Sequence, residues 1–303
     1  WNTSDKATVE DAFHRLDASI GGDALARVVP RLDAYAERLA STRLSLCRTT
    51  GAQSVALVDR RTLCLDRREA ALASLIGTLA SADGAVVSGA VDAVDSLPPI
   101  EDCALESELA ASGVAPPAGL SSAVDAVRAR LAEGDDLGRR GHAAQALEIF
   151  ETAAATARAV GWPHLLGDAL ERVIVTRDTL ELPRMVAGQE LAETASKIGD
   201  DNRLAFALAM LLDEYVDGSR VDKAEGIIPA LRAAVVRAGV TRAVRFRALV
   251  AQAYYAIEAH RVGDVPGLLR DAEGLARTVR ERIQLLVIKS EAATTPSERV
   301  ALA

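Results

Sequence analysis

The chain has 303 residues, half of them hydrophobic yet only 3% aromatic, and a formal charge of −8 at pH 7. That length buries one or two substantial cores, the alanine- and leucine-rich composition argues against sheets, and the acidic balance argues against a general nucleic-acid binder, which carries a basic face. The 35 cationic side chains are nearly all arginine and stand among Glu and Asp, as on solvated helix faces with i,i+4 pairing.

No stretch approaches the ~20 apolar residues of a membrane span, and no signal peptide opens the chain. A start at Trp1, without a methionine, fits a fragment whose anchor or targeting segment has been cut away.

In chain order, Val9, Ala12, Phe13 and Leu16 space a short amphipathic helix from Thr8 to about Ala18, ended by Gly21-Gly22. Asp23 then suits an N-cap, and Leu25, Val28, Val29, Leu32, Tyr35, Leu39, Leu44 and Cys47 carry an apolar stripe to a break at Thr49-Thr50-Gly51. Pro30 either kinks this helix or delays its start to Arg31, because an interior proline removes a donor and clashes one turn back. A second long helix spans about Gln53 to Leu79, with Val58, Leu63, Leu65, Leu72 and Leu75 inward. A third runs from a Ser81-Ala82-Asp83 cap to about Ser96, where Leu97-Pro98-Pro99 ends it. Residues 111–121, rich in Ser, Gly and Pro, form a linker between a cysteine-bearing helical region, 1–110, and a second region, 122–303.

Beyond the linker, Gly161, Gly199 and Gly239 each close a run with the same apolar spacing. Eleven, eight, four and one residues before them stand Phe150, Ala153, Ala157 and Val160, then Gly188, Leu191, Ala195 and Ile198, then Ile228, Leu231, Val235 and Ala238. Steps of three and four share one helix face, and a glycine just after such a face suits the left-handed residue that ends a helix. The hairpins this defines are 123–140 with 142–160, 164–178 with 183–198, and 202–217 with 222–238, followed by a last pair, 241–260 with 265–283. Pro183 suits the first turn of its helix. Arg139-Arg140-Gly141-His142-Ala143-Ala144-Gln145-Ala146 is similar to a tetratricopeptide turn, although the period exceeds the usual ~34 residues and the second and third hairpins lack an inner-turn glycine. The expected fold is all-α: helical hairpins forming an α-solenoid of long, degenerate tetratricopeptide-like repeats. Solenoids of this kind bind protein or peptide ligands along the first helix of each hairpin. Arg172 and Thr176, Met210 and Glu214, and Ala251 and Tyr255 are the groove candidates, each pair on one face by i,i+4 spacing. Helix-packing residues are the alternative reading.

Cys47, Cys64 and Cys103 have no CxxC spacing and no adjacent histidine, so zinc is not expected. If the third helix returns antiparallel to the second, position 96 lies level with 67 at ~1.5 Å per residue, and Pro98-Pro99-Ile100 brings Cys103 near Cys64. A turn near residue 51 instead sets Cys47 ~12 Å out of register with Cys64, beyond disulfide reach. The layout pairs Cys64 with Cys103; the alternative is three small buried hydrophobes in a reduced protein.

Leu32-Asp33-Ala34-Tyr35-Ala36, Cys47, Gln53-Ser54, Cys64-Leu65-Asp66-Arg67-Arg68, Ala90-Val91-Asp92-Ala93 and Leu97-Pro98-Pro99 up to Cys103 form a set. It resembles the carboxy-terminal half of large myxobacterial-type serine/threonine protein kinases. In that family a cytoplasmic kinase domain is followed by a membrane span, this cysteine-bearing module and then tetratricopeptide repeats. The family's further cysteine, just before the position matching Trp1, is absent here; it would give Cys47 a partner. The resemblance implies an oxidising, extracytoplasmic location on the periplasmic side of the inner membrane and a sensory role in a membrane-anchored parent.

No catalytic machinery, cofactor site or metal site is expected in this chain. It lacks the glycine-rich loop, strand lysine, HRD-type base and DFG-type ligand of a kinase. It also lacks a GxxxxGK[ST] loop and an HExxH helix. His14, His142, His164 and His260 are far apart and read as surface or turn residues. Asp135-Asp136 and Asp200-Asp201 read as helix caps, and Arg60-Arg61, Arg67-Arg68 and Arg139-Arg140 as surface ion pairs rather than a phosphate grip. The expected function is ligand or peptide recognition for a kinase. A cytoplasmic scaffold assembling protein partners is the alternative.

Overall fold

The computed structural model describes residues 1–15, 18–49, 54–104, 116–237 and 239–293. Among them every regular element is helical, thirteen α-helices and three short 3-10 turns. The chain divides into two units, Trp1–Ser112 with Glu133–Ala146 and Gly113–Ala132 with Leu147–Ala303. Of the expected linker, residues 111–115 lie outside the described residues, and Ala118–Leu120 form a 3-10 turn.

The first unit holds α1 (Thr3–His14), α2 (Ala18–Thr49), α3 (Val55–Ala80), α4 (Gly84–Asp95) and a 3-10 turn, Glu101–Ala104. Helix α1 starts five residues before the expected Thr8 because Asn2 and Asp5 form a capping box: Asn2 accepts from the Ser4 and Asp5 amides, and Asp5 accepts from the Asn2 amide. Val9, Ala12 and Phe13 are buried as expected; Leu16 lies outside the described residues.

Gly21-Gly22 do not end a helix; both lie inside α2. A Cβ on Gly21 would stand 2.4 Å from the Phe13 carbonyl oxygen, so this glycine lets α2 cross the end of α1. Asp23 is consequently inside α2 and is no N-cap, and the helix runs through Pro30 without interruption. Leu25, Val28, Leu32, Tyr35 and Leu39 are buried, whereas Leu44 on α2 and Leu63 on α3 are exposed, against expectation. The expected break at residues 50–51, and Gln53, lie outside the described residues. Ser54 caps α3 and Asp83 caps α4.

Helix α3 packs on α4 and on the Glu101–Ala104 turn. The sulfurs of Cys64 and Cys103 lie 1.98 Å apart, at disulfide distance, with Cα atoms 5.7 Å apart. Cys47, exposed on α2, takes no part in that pair. The segment carrying Cys103 is held by its prolines' carbonyls: the Tyr35 hydroxyl donates to Pro98 at 2.8 Å and Arg68 Nε to Pro99 at 3.2 Å. Burial pushes the Tyr35 phenol up to about 12.

Helices α5 (Ser121–Arg139) and α6 (Ala143–Val160) contribute residues to both units. The second unit continues with α7 (Pro163–Thr179), α8 (Met185–Ile198), α9 (Asp201–Asp217), α10 (Val221–Val235), α11 (Arg242–Glu258), α12 (Val265–Leu275) and α13 (Val279–Ala292). Helix α9 packs on α8, α10 and α11, and α11 on α12 and α13.

The turns inside these hairpins share one chemistry. Gly141, Glu181, Ser219 and His260 all take positive φ, at 82°, 55°, 53° and 54°. The amide after each donates to the carbonyl five residues earlier: His142 to Leu137, Leu182 to Arg177, Arg220 to Tyr215 and Arg261 to Ala256, at 2.7–3.0 Å. This is the Schellman closure, made without glycine in three of four cases. Gly161, Gly199 and Gly239 are also left-handed, at 75°, 68° and 92°.

Three boundaries differ from expectation. Helix α8 starts at Met185, so Pro183 precedes it, and it is Pro163 that opens a helix. Helix α10 ends at Val235, short of Gly239; Ala238 lies outside the described residues. The expected helix 265–283 is two helices, because Thr278 and Glu281 form a capping box that starts α13. Of the repeated face, Phe150, Ala153, Ala157, Gly188, Leu191, Ala195, Ile228 and Leu231 are buried, while Val160, Ile198 and Val235 are half-buried. Gly188 stands where the other runs have Phe150 and Ile228 because Leu211 fills the space, 3.0 Å from where a Cβ would be.

Candidate interaction face

In the second unit, charged side chains of α7, α9, α11 and α13 gather in two clusters, one around Arg203 and one around Asp213. At one end Arg203 on α9 pairs with Asp168 on α7, approaches Glu171 at 3.5 Å and meets Asp200 at 3.0 Å. Gly167 makes room for it, since a Cβ there would stand 2.8 Å from the guanidinium stem. Burial pushes the Glu171 carboxyl up against the opposing pull of Arg203. In the turn before α8, Arg184 is only 8% exposed. It reaches Asp178 at 3.0 Å, Asp217 at 2.9 Å and Glu214 at 3.6 Å.

Asp213 stands one turn before Asp217 on α9. Among the described residues no donor is hydrogen-bonded to its carboxylate, and burial pushes its pKa up to about 7; Arg247 and Arg184 pull it down, and Asp217 and Asp178 push it further up. Arg247 on α11 lies over the Phe206 ring at 5.8 Å and 3.2 Å from the Met210 sulfur. Burial, with Glu291, Asp213 and Asp217, raises the Tyr254 phenol to about 12. Glu291 on α13 is itself pushed up by burial and by Glu258. The face thus holds more carboxylate than its arginines neutralise, with Tyr254 and the exposed Val175 among the acids.

The groove candidates lie one helical position away. Thr176, Met210 (1% exposed), Ala251 and Tyr255 are buried in the packing between helices. Glu214 is engaged with Arg184, and Arg172 donates to the Asp168 carbonyl at 2.9 Å. The carboxylate face instead uses Glu171, Val175 and Asp178, Asp213 and Asp217, and Tyr254 and Glu258. That is a rotation of about 100° for one residue at 3.6 residues per turn. The recurring acids at three- and four-residue steps were the sequence signal for it.

Asp200 caps α9, accepting from the Arg203 amide at 3.0 Å. Asp135-Asp136 are inside α5 and cap nothing; Asp136 pairs with Arg140 at 2.9 Å and Arg139 at 3.6 Å. A cavity of about 210 Å³ lies among Ala157, Gly161, Trp162, Pro163, Leu166 and Thr194, below the ~300–1,000 Å³ usual for small-molecule sites. Among the described residues no group of three or more His, Cys, Asp or Glu is placed to hold a metal ion, and no helix is long and apolar enough to cross a membrane.

No family model, curated protein or solved structure matches the chain. Nothing in these comparisons links the chain to kinase or tetratricopeptide regions.

Proposed function

We propose that this chain is a non-catalytic recognition module, the extracytoplasmic part of a membrane-anchored serine/threonine protein kinase. In it, α5 to α13 act as a solenoid of degenerate tetratricopeptide-like repeats. The face across α7, α9, α11 and α13 takes a protein or peptide segment bearing cationic side chains, and occupancy changes the spacing or pairing of the attached kinases. The observation that carries the reading is Asp213, a carboxylate without a hydrogen-bond donor amid further acids. A ligand guanidinium or ammonium supplies the hydrogen-bond donor that the nearby Arg247 and Arg184 do not. The recurrent left-handed inner turns support the repeat, since four hairpins closed alike stack alike. The Cys64–Cys103 pair supports an oxidising compartment.

Two experiments test this. Native alkylation in the source cells followed by non-reducing mass spectrometry recovers a peptide linking Cys64 to Cys103; reduced Cys64 and Cys103 would leave the cytoplasmic scaffold as the better account. Autophosphorylation of the full-length parent, with and without its repeats, differs under the proposal; equal rates would remove the coupling to kinase activity.

A further inference from the structure

The cavity of about 210 Å³ in the second unit lies where α6, α7 and α8 meet. Gly161, left-handed at 75°, turns the chain from α6 into α7. Trp162, Pro163 and Leu166 then line the space together with Ala157 of α6 and Thr194 of α8, so its walls are mostly carbon. Trp162 is itself buried, with the Arg128 guanidinium 5.6 Å from its ring centre, which fixes the aromatic wall. The volume falls short of a drug-sized ligand, yet an apolar cavity of about 150 Å³ already holds benzene. One ring with a short substituent is the size that fits.

The polar groups around this space favour an anion. Thr194 is only 8% exposed, and its hydroxyl makes no hydrogen bond among the described residues; a buried hydroxyl is costly until a partner takes it up. Lys197 stands three residues on, on the same face of α8. It meets Glu193 at 3.9 Å with both side chains largely exposed, a pairing that holds its ammonium weakly. Arg158, by contrast, is engaged by Glu190 through two bonds of 2.6 Å. Helix α7 starts at Pro163 with no side chain capping it, and the positive end of a helix dipole favours negative charge. The helix start gives the charge preference, while the unpartnered hydroxyl and the cavity give the place.

We propose that this cavity binds a small carboxylic acid with a single-ring body, of the arylacetate class. The ring packs on Trp162 and Leu166, and the carboxylate accepts from the Thr194 hydroxyl and pairs with the Lys197 ammonium. The site is separate from the cluster around Asp213 and independent of the cationic ligand proposed for it.

Phenylacetate is the probe, and Trp162 is the reporter in a Trp1→Phe chain, where it is the sole tryptophan. Its emission is expected to change saturably with phenylacetate, at an affinity about tenfold above that for the neutral isostere phenylacetamide. Lys197→Gln, made on an exposed side chain, removes that preference and leaves the phenylacetamide affinity as it was. Thr194→Val keeps the shape, loses the hydroxyl and weakens phenylacetate about fivefold, with thermal melting showing that each variant is folded. Trp162 emission without a saturable change, equal affinity for the acid and the amide, or phenylacetate binding indifferent to both substitutions overturns the proposal. So does an acetylated peptide ending in phenylalanine that binds at least tenfold more tightly than phenylacetate, since a chain terminus is then the ligand.

Discussion

Asp213 offers the sharpest test of the electrostatics. The folded chain raises its carboxyl from the usual 3.8 to about 7 through burial, opposed by Arg247 and Arg184 and reinforced by Asp217 and Asp178. The folded state therefore holds this proton more tightly than the unfolded state. The group's contribution to stability falls as pH climbs from about 4 to about 7 and is level above that. At 1.36 kcal/mol per pH unit the ceiling is ~4 kcal/mol, and the partial exposure of Asp213 reduces it to roughly 2 kcal/mol by solvent screening. Asp213→Asn keeps the shape and removes the charge. Urea unfolding at pH 4, 6 and 8 is expected to show the variant equal to the parent at pH 4 and more stable by about 2 kcal/mol at pH 8. An equal midpoint at pH 8, or one constant offset at all three pH values, would refute the reasoning.

Three further outcomes are expected. Cys103→Ser opens a loop of sequence separation 39 and lowers stability by ~4 kcal/mol by loop-closure entropy; guanidinium midpoints with and without reductant measure it, and coincident midpoints for the parent contradict it. Gly21→Ala drives a Cβ onto the Phe13 carbonyl and is expected to cost about 1–3 kcal/mol as overpacking, read as a fall in Tm, whereas Gly22→Ala, with open space around it, does not. Glu181→Gly relieves a left-handed non-glycine residue and is expected to be stabilising by up to ~1 kcal/mol; a loss of stability would place the side chain's own contacts above the backbone term.

How far the sequence spoke depends on which physical term decided each position. Two helix starts set by short-range caps were legible, since Asp83 and Asp200 do what their types do at a helix start, whereas the Asn2–Asp5 box that starts α1 went unread. So was the level of Cys64 against Cys103, because helical rise is fixed. Positions decided by distant neighbours were not. Gly21 looks like a stop and is a contact with Phe13, and Gly188 looks like a gap and is filled by Leu211. Glu181, Ser219 and His260 conceal the turn that Gly141 advertises, because the Schellman bond and not the side chain holds them left-handed. The Thr278–Glu281 box was readable and marks a helix start that apolar spacing alone ran through. Thr176, Met210, Ala251 and Tyr255 are buried between helices while Val175, Asp213 and Tyr254 beside those positions are not, because period 3.6 separates core from surface by a single step. Only the neighbouring helices decide which side is covered.

The central claim is that the face across α7, α9, α11 and α13 recognises cationic side chains. Titration calorimetry of the full chain with an arginine- and lysine-bearing peptide, against the same peptide with glutamine at those positions, tests it most directly. Binding of the cationic peptide is expected to weaken as salt rises, to weaken at pH 5, where Asp213 is protonated, and to exceed the glutamine peptide at least tenfold. Equal affinity for the two peptides, or affinity indifferent to salt and to Asp213→Asn, would contradict the account.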